Sequence, residues 1–398
     1  MKIAVVSTMQ EAPWGGSEEM WSAMAEVALE KKHQINTLTA YWPNTSHKIQ
    51  RLESLGATVS FQMQPRRMPT RWNRYYRKLL TLGRVLLRKN RFLHFEHILR
   101  WKPDVVCVSL GAIYEVLGYP GLMAYLETTS VPFVLVVQYA DDFLVPQHPA
   151  QRSQISRIFA RASKIVFVSQ RNLQDSERHL VIRYPNAVVL RNPMNLTDFS
   201  PVPWPEPSET LSLASVARLR VRAKGQDVLL EALSRPSWND RRWQLNLYGQ
   251  GPDLSYLKAL ANMFGINNKV YFHGQVDDIR KVWSTNHLLV MPSRGEGIPL
   301  SLSEAQICGR PAMVTNVGGN VEWVTEGTTG FIADGPYAAP VNAALERAWQ
   351  QQDQWESMGI QAHQEASHKI DRNPGNTLLS QILEAATASE NKAHNSKI

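Results

Sequence analysis

The chain has 398 residues, of which 43% are hydrophobic, with two cysteines and a formal charge of +8. That length exceeds what one hydrophobic core usually serves, so two domains are expected; the apolar content excludes a disordered chain, and no apolar run reaches membrane-spanning length. The two cysteines form neither a disulfide framework nor a metal-ligand spacing, which points to a cytoplasmic protein.

The positive charge is concentrated. Between Arg66 and Lys102 stand twelve Lys or Arg and a single acid, Glu96, so the remainder of the chain is net negative. Lys2 to Ser7 reads as a first buried strand, its apolar run too short for a signal peptide. Met20, Trp21, Met24, Val27 and Ala28 recur with helical period, and Ile35 to Thr39 is the next strand. This is a βαβ unit whose first loop, Thr8 to Gly16, ends in Gly15-Gly16-Ser17-Glu18-Glu19. Paired glycines let backbone N–H groups approach a ligand, and they serve a plain tight turn equally well.

Ala57 to Met63 suggests another strand, followed by the basic segment. There Arg71, Arg74, Arg77, Lys78, Arg84, Arg88, Lys89 and Arg91 alternate with aromatic and aliphatic residues from Trp72 to Phe92. Two readings are equally open: a helix lying on an anionic membrane surface, or an ordinary amphipathic helix with its apolar face in the core. Asp104 to Ser109, Val131 to Gln138, Ile165 to Ser169 and Val188 to Arg191 are short β-branched runs between helical stretches, the pattern of a parallel sheet buried on both faces. Cys107, within the first of these, reads as a small core residue, as does Cys308. Pro201, Pro203, Pro205 and Pro207 then form a stiff linker.

Beyond the linker the alternation restarts, with strands expected at Leu211 to Ala217, Trp243 to Tyr248, Val270 to His273, Leu288 to Met291, Ala312 to Thr315 and Phe331 to Ala333. Arg218, Arg220, Arg222 and Lys224 follow the first of them. Cations at the carboxyl end of a strand suit a diphosphate. The stretch Met291 to Gly309, MPSRGEGIPLSLSEAQICG, runs from a strand end through a glycine turn into a helix with Pro299 in its first turn and Gly309 at its end. Free N–H groups and the helix dipole attract an anion there. Glu296 and Glu304 would repel a phosphate, so each must face hydrogen-bond donors, as sugar and ribose hydroxyls are. The combination describes a nucleotide sugar. Ala343 to Ile370 reads as helical, Asn376 to Ala386 as a further short helix, and the residues from about Ser389 as a frayed tail.

Glu296 and Glu304, set within PSRGEGIPLSLSEAQICGRP and followed by Gly318-Gly319, Glu322 and Gly330-Phe331, resemble the signature of glycosyltransferase family 4, retaining enzymes among the glycosyl transferases group 1. The resemblance implies the α/β GT-B fold, two Rossmann-like doubly wound domains facing a central cleft. Residues 1–200 would bind the acceptor, 208–375 the nucleotide sugar, and 376–398 would hold a helix crossing back to the first domain and the tail. It also implies a hexosyl transfer that needs no metal and no cofactor, from a nucleoside-diphosphate sugar to a glycan or lipid-linked acceptor. Such work belongs in the cytoplasm or at the inner face of the membrane, where the basic segment would meet anionic lipid. The basic segment alone would suit nucleic acid, which leaves the donor pattern unexplained, so no nucleic-acid partner is expected.

Carried onto this sequence, the resemblance gives Glu296 to the transferred sugar, Glu304 to the ribose, and Arg218 and Lys224 to the diphosphate. Gly297, Ile298, Pro299 and Leu300 form the phosphate turn, and Val276 in Phe272-His273-Gly274-Gln275-Val276 meets the base. Gly15 and Gly16 reach the donor phosphate, and Glu18, which would disfavour a phosphate directly above it, goes to the acceptor. The catalytic set is Arg218, Lys224, Glu296 and Gln138. Two departures stand out. Pro299 replaces a glycine common in the family, and Gln138 stands where many members carry histidine. Glutamine bonds a hydroxyl but exchanges no proton near neutral pH; the neighbouring Asp141-Asp142 either substitutes or forms a solvated turn. A catalytically silent sugar-nucleotide-binding protein and a GT-B epimerase are the alternatives.

Overall fold

The computed structural model describes residues 1–9, 14–41, 47–62, 98, 100–140 and 148–395. Nearly all of the basic segment, and Asp141-Asp142, lie outside the described residues. Two parallel sheets make up the fold. The first comprises β1 (Lys2–Ser7), β2 (Gln34–Ala40), β3 (Thr58–Gln62), β4 (Val105–Leu110), β5 (Phe133–Val137), β6 (Lys164–Phe167) and β7 (Ala187–Val189), in the order β3-β2-β1-β4-β5-β6-β7. The second comprises β8 (Leu211–Val216), β9 (Trp243–Tyr248), β10 (Val270–Gly274), β11 (Leu288–Met291), β12 (Ala312–Thr315) and β13 (Gly330–Ala333), in the order β10-β9-β8-β11-β12-β13. Every pairing is parallel, with Ile3 opposite Ile35 and Val105, for example.

The helices of the first half are α1 (Gly16–Glu30), α2 (His47–Ser54), α3 (Pro120–Thr128), α4 (Pro149–Arg161) and α5 (Gln170–Leu180). The second half has α6 (Val221–Lys224), α7 (Gln226–Leu233), α8 (Leu254–Met263), α9 (Ile279–Trp283), α10 (Leu300–Ile307), α11 (Ala338–Gln350), α12 (Trp355–Lys369) and α13 (Pro374–Asn395). Helices cover both faces of each sheet, which is why strands such as Phe133–Val137 and Leu288–Met291 are buried along their whole length. Each fully buried aliphatic side chain in such a strand contributes about 1.5–3 kcal/mol. Cys107 and Cys308 are free, buried thiols, both pushed up to about 12 by burial.

In both sheets the order reverses beside the first strand, between β1 and β4 and between β8 and β11. Ligands of open α/β sheets bind outside the carboxyl ends of the strands at this point. The loops after β1, β8 and β11 carry Gly15-Gly16, Arg218–Lys224 and Ser293–Pro299, so the topology delivers the expected site segments to the two switch points.

Most strands fall where expected, with ends shifted by one or two residues. Ser169 is not in a strand: it is the N-cap of α5, and its side chain accepts from the Asn172 N–H. Pro299 is the N-cap of α10 rather than a first-turn residue. The helix expected from Ala343 to Ile370 is two helices broken at 351–354. Trp355 is buried there and its Nε1 donates to the Ala348 carbonyl at 2.9 Å, an arrangement that requires the chain to turn. The final helix is longer than expected, from Pro374 to Asn395 instead of ending at Ala386, so the segment from Ser389 continues a helix.

α13 belongs to the first half's core. Leu378, Leu379 and Ile382 are buried with Ile3, Val5, Met20, Trp21 and Met24. Lys31 Nζ donates to Asn376 Oδ1 at 2.8 Å, and a Cβ at Gly375 would stand 2.5 Å from the Ala23 carbonyl. Between the sheets, the Pro201–Trp204 stretch is held to the second half by Arg310. This guanidinium, 1% exposed, donates to the carbonyls of Val202, Pro203, Trp283, Asn286, Cys308 and Gly309 and lies over the Trp204 ring. Burial lowers its pKa to about 10.

Candidate active site

The loops after β8 and β11 are joined before any ligand is considered. Arg294 N donates to Ala223 O at 2.8 Å, and its guanidinium bonds both oxygens of Asp227 at 2.7 and 2.9 Å. Gly225 makes the approach possible: its φ is +64°, and a Cβ there would lie 2.0 Å from the Pro292 carbonyl. The consequence is that Lys224 Nζ reaches Glu296 Oε1 at 2.6 Å. Ser293 Oγ donates to the same oxygen at 2.7 Å, and Thr315 Oγ1 pins the Ser293 carbonyl at 2.6 Å.

Glu296 is only 6% exposed, yet its Oε2 has no partner among the described residues. Nor do the N–H groups of Gly297, Ile298 and Leu300, or the exposed guanidinium of Arg218. The arrangement therefore presents an acceptor oxygen and an array of N–H donors on the same turn, with Arg218 exposed on the loop that Lys224 ties to it. That array suits a phosphate whose neighbouring ring carries hydroxyls. Arg222 is also exposed, while Arg220 is engaged within the fold.

Glu304, on α10, is buried, 8% exposed. Burial, with Glu19 nearby, pushes its pKa up to about 7. Val276 lines a pocket of about 320 Å³ with Tyr248, Asp277, Asp278, Lys281 and Val282. The Tyr248 ring is fixed by stacking on His273 with centroids 4.5 Å apart, and Asn286 Nδ2 donates to its hydroxyl at 3.0 Å. His273 Nε2 lies 2.8 Å from Asn246 Oδ1, which holds the imidazole against the Tyr248 ring.

From the first half, Gly15 is the N-cap of α1, and Gly16 faces the second half: a Cβ there would lie 3.9 Å from Leu300 Cδ1 and 3.6 Å from Asn192 Nδ2. Glu18 is 3% exposed, with Oε1 accepting from Ser7 Oγ at 2.8 Å and Oε2 accepting from Ser17 Oγ. Burial pushes its pKa up to about 7 despite those two bonds. Beside it, Glu115 Oε2 accepts from Thr8 Oγ1 and Gly111 N, each at 2.5 Å.

Gln138 stands at the carboxyl end of β5, 8% exposed, with Oε1 accepting from Asn192 Nδ2 at 2.8 Å. Gln138 Nε2 and Asn192 Oδ1 are buried with no partner among the described residues, a donor and an acceptor beside one another. The two halves meet here. A Cβ at Gly297 would stand 2.1 Å from the Gln138 carbonyl, and one at Gly295 would stand 2.1 Å from the Tyr139 hydroxyl. Gln138, Gly16, Glu296 and Gly297 are thus brought to one place, while Val276 lies with its own group of residues.

Ser293 and Asn192 were missed from the sequence. Ser293, three residues before Glu296 on the same turn, had a local signal in that spacing; Asn192 had none, since its partner lies far along the chain. Among the described residues no group of three His, Cys, Asp or Glu side chains is placed to hold a metal ion. No helix among them is long and apolar enough to cross a membrane.

Residues 210–351 match the family model described as Glycosyl transferases group 1. Over nearly the whole chain the structure resembles Anabaena HepE solved in complex with UDP, with a TM-score of 0.68, 18% identity, and 98% of this chain and 100% of that one covered. The fold is GT-B. Among curated relatives, the chain is 31% identical over 166 residues to D-inositol 3-phosphate glycosyltransferase of Arthrobacter sp., covering 38% of this chain and 39% of that protein. It is 27% identical over 162 residues to an exopolysaccharide phosphotransferase of Streptomyces coelicolor, covering 40% of this chain and 17% of that protein. The chain therefore spans well under half the length of these curated relatives.

Proposed function

We propose that this GT-B protein is a retaining glycosyltransferase of family 4 that moves a hexosyl group from a nucleoside-diphosphate sugar to an acceptor hydroxyl in glycan assembly. The observation that carries the reading is the cluster of Lys224, Ser293 and Glu296, with a free carboxylate oxygen on a turn that also carries unpartnered N–H groups at Gly297, Ile298 and Leu300. Arg218, Lys224 and the N–H groups neutralise the departing diphosphate, while Glu296 Oε2 accepts a sugar hydroxyl. The ribose takes Glu304, and the base enters the pocket of Val276 and Tyr248. The bond from the anomeric carbon to the diphosphate breaks as the acceptor oxygen bonds on the same face. The acceptor's proton passes to the departing phosphate, so no metal and no protein base is required.

The acceptor side is the first domain's rim at Gly15, Gly16 and Glu18. Curated relatives named for polysaccharide and inositol-phosphate chemistry, and a structural neighbour solved with UDP-glucose, support a nucleotide-sugar donor and a glycan product. The basic segment between Arg66 and Lys102 would bring the enzyme to an anionic membrane carrying a lipid-linked acceptor. A second reading, a binding protein without turnover, fits the departure at Gln138, which offers the sugar a neutral amide where the family's histidine would stand.

Calorimetric titration with UDP, GDP and ADP tests the donor site. One of them should bind, and Arg218→Ala should weaken it about tenfold or more, since a hydrogen bond to a charged group contributes roughly 1.5–3 kcal/mol. Failure of all three to bind would reject the reading.

A further inference from the structure

One of the polar contacts between the two halves has partners from opposite sides of the cleft. α5 of the first domain begins at Ser169, whose hydroxyl oxygen accepts the Asn172 N–H at 3.1 Å. The preceding amide, Arg171 N–H, reaches across to the second domain. It donates to Glu322 Oε1 at 2.9 Å, a carboxylate 151 residues away in the second domain. A carboxylate at the amino end of a helix also meets the positive end of its dipole.

Glu322 ends the short turn Gly318–Glu322, and this turn is bolted to the donor loop. Gly319 N donates to Gly297 O at 2.7 Å, and Asn320 Nδ2 to Thr315 O at 3.1 Å. A Cβ at Gly318 would lie 1.8 Å from the Glu296 carbonyl. A Cβ at Gly319 would meet Ile298 at 2.6 Å, the Gly297 carbonyl at 2.7 Å and Ser169 Cβ at 2.8 Å, so both domains converge on that one residue. Glu322 therefore moves as one block with Glu296 and Gly297. When it grips α5, that block is pressed against the Gln138 carbonyl.

We propose that Glu322 is a positioning residue: its bond to the amino end of α5 sets the register between the donor loop of the second domain and the Gln138 edge of the first. It touches no substrate in this assignment. The proposal rests on the glycosyltransferase reading for its catalytic consequence, but the clasp itself is a property of the ligand-free chain.

The test compares Glu322→Ala and Glu322→Gln with the wild type, using the full chain. In the absence of any nucleotide, hydrogen exchange should show the Arg171 amide losing protection in Glu322→Ala while Asn172 keeps its own, and small-angle scattering should show a larger radius of gyration. Glu322→Gln, whose amide oxygen still accepts, should fall between the two. Nucleoside-diphosphate affinity should stay within about twofold of wild type, because the second domain's loops are intact, while kcat for transfer falls about tenfold, the equivalent of one charge-assisted hydrogen bond. Wild-type protection and scattering in Glu322→Ala would overturn the clasp. Lost protection with unchanged kcat would overturn the positioning role. A wild type that binds no sugar nucleotide would count against the proposed function, and the exchange and scattering results would still decide the clasp.

Discussion

Removing Lys224 isolates the part of the site that is both structural and chemical. In the ligand-free protein Lys224 Nζ and Ser293 Oγ are the partners of a Glu296 carboxylate that is 6% exposed. Lys224→Met leaves that charge buried with one neutral donor. Breaking one side of a buried ion pair costs about 3–5 kcal/mol. The Lys224 side chain is itself 20% exposed, so the lower end, about 3 kcal/mol, is expected. For a domain of this size that lowers the melting temperature by roughly 6–12 °C. Glu296→Gln should lose less, because the freed ammonium can turn to water while Ser293 keeps an acceptor. The double variant should be more stable than the sum of the single losses predicts, by about 2 kcal/mol. Urea denaturation of the four proteins measures this cycle. A loss below about 0.5 kcal/mol in Lys224→Met, or strict additivity in the double variant, would refute the coupling.

Three further outcomes are expected. Gln138→Ala should lower turnover at nearly unchanged donor affinity while Gln138→His keeps activity; steady-state kinetics showing a fully active Gln138→Ala would place the sugar elsewhere. Glu18 and Glu304 have folded-state pKa values raised from 4.5 to about 7, so the stability each favours is complete below pH 4.5 and is lost as pH rises through 7. Urea midpoints should therefore decline across that window by an amount on the order of 3 kcal/mol per group, and Glu18→Gln or Glu304→Gln should flatten the decline. The chain should sediment with anionic vesicles at low salt and be released at high salt, and changing Arg74, Lys78, Arg84 and Arg88 to Gln should weaken this binding; no sedimentation at low salt would favour a soluble acceptor.

The sequence made the turn after β11 legible because its local residues encode both shape and chemistry. Gly295 and Gly297 make the turn, Glu296 and Glu304 supply acceptors, and the strand before them is uniformly apolar. The alternation of β-branched runs with helical stretches likewise revealed two parallel sheets. What stayed hidden depends on residues distant in the chain. Nothing near Gln138 indicates Asn192, 54 positions on, and nothing near Glu322 indicates the amide of Arg171. The break between α11 and α12 has no proline or glycine; it follows from burying Trp355 and bonding its indole to Ala348. Nothing beside Arg310 in the sequence indicates its partners, and only the fold shows its donors gathered under backbone carbonyls.

The most direct test of the account is the release of nucleoside diphosphate from a panel of UDP-, GDP- and ADP-sugars incubated with the purified chain and no acceptor. At least one donor should be cleaved slowly, with free sugar of retained anomeric configuration in the first product observed by proton NMR and with release abolished in Lys224→Met. A chain that binds a nucleoside diphosphate but cleaves none of the panel would contradict the claim of catalysis and leave a sugar-nucleotide-binding protein in its place.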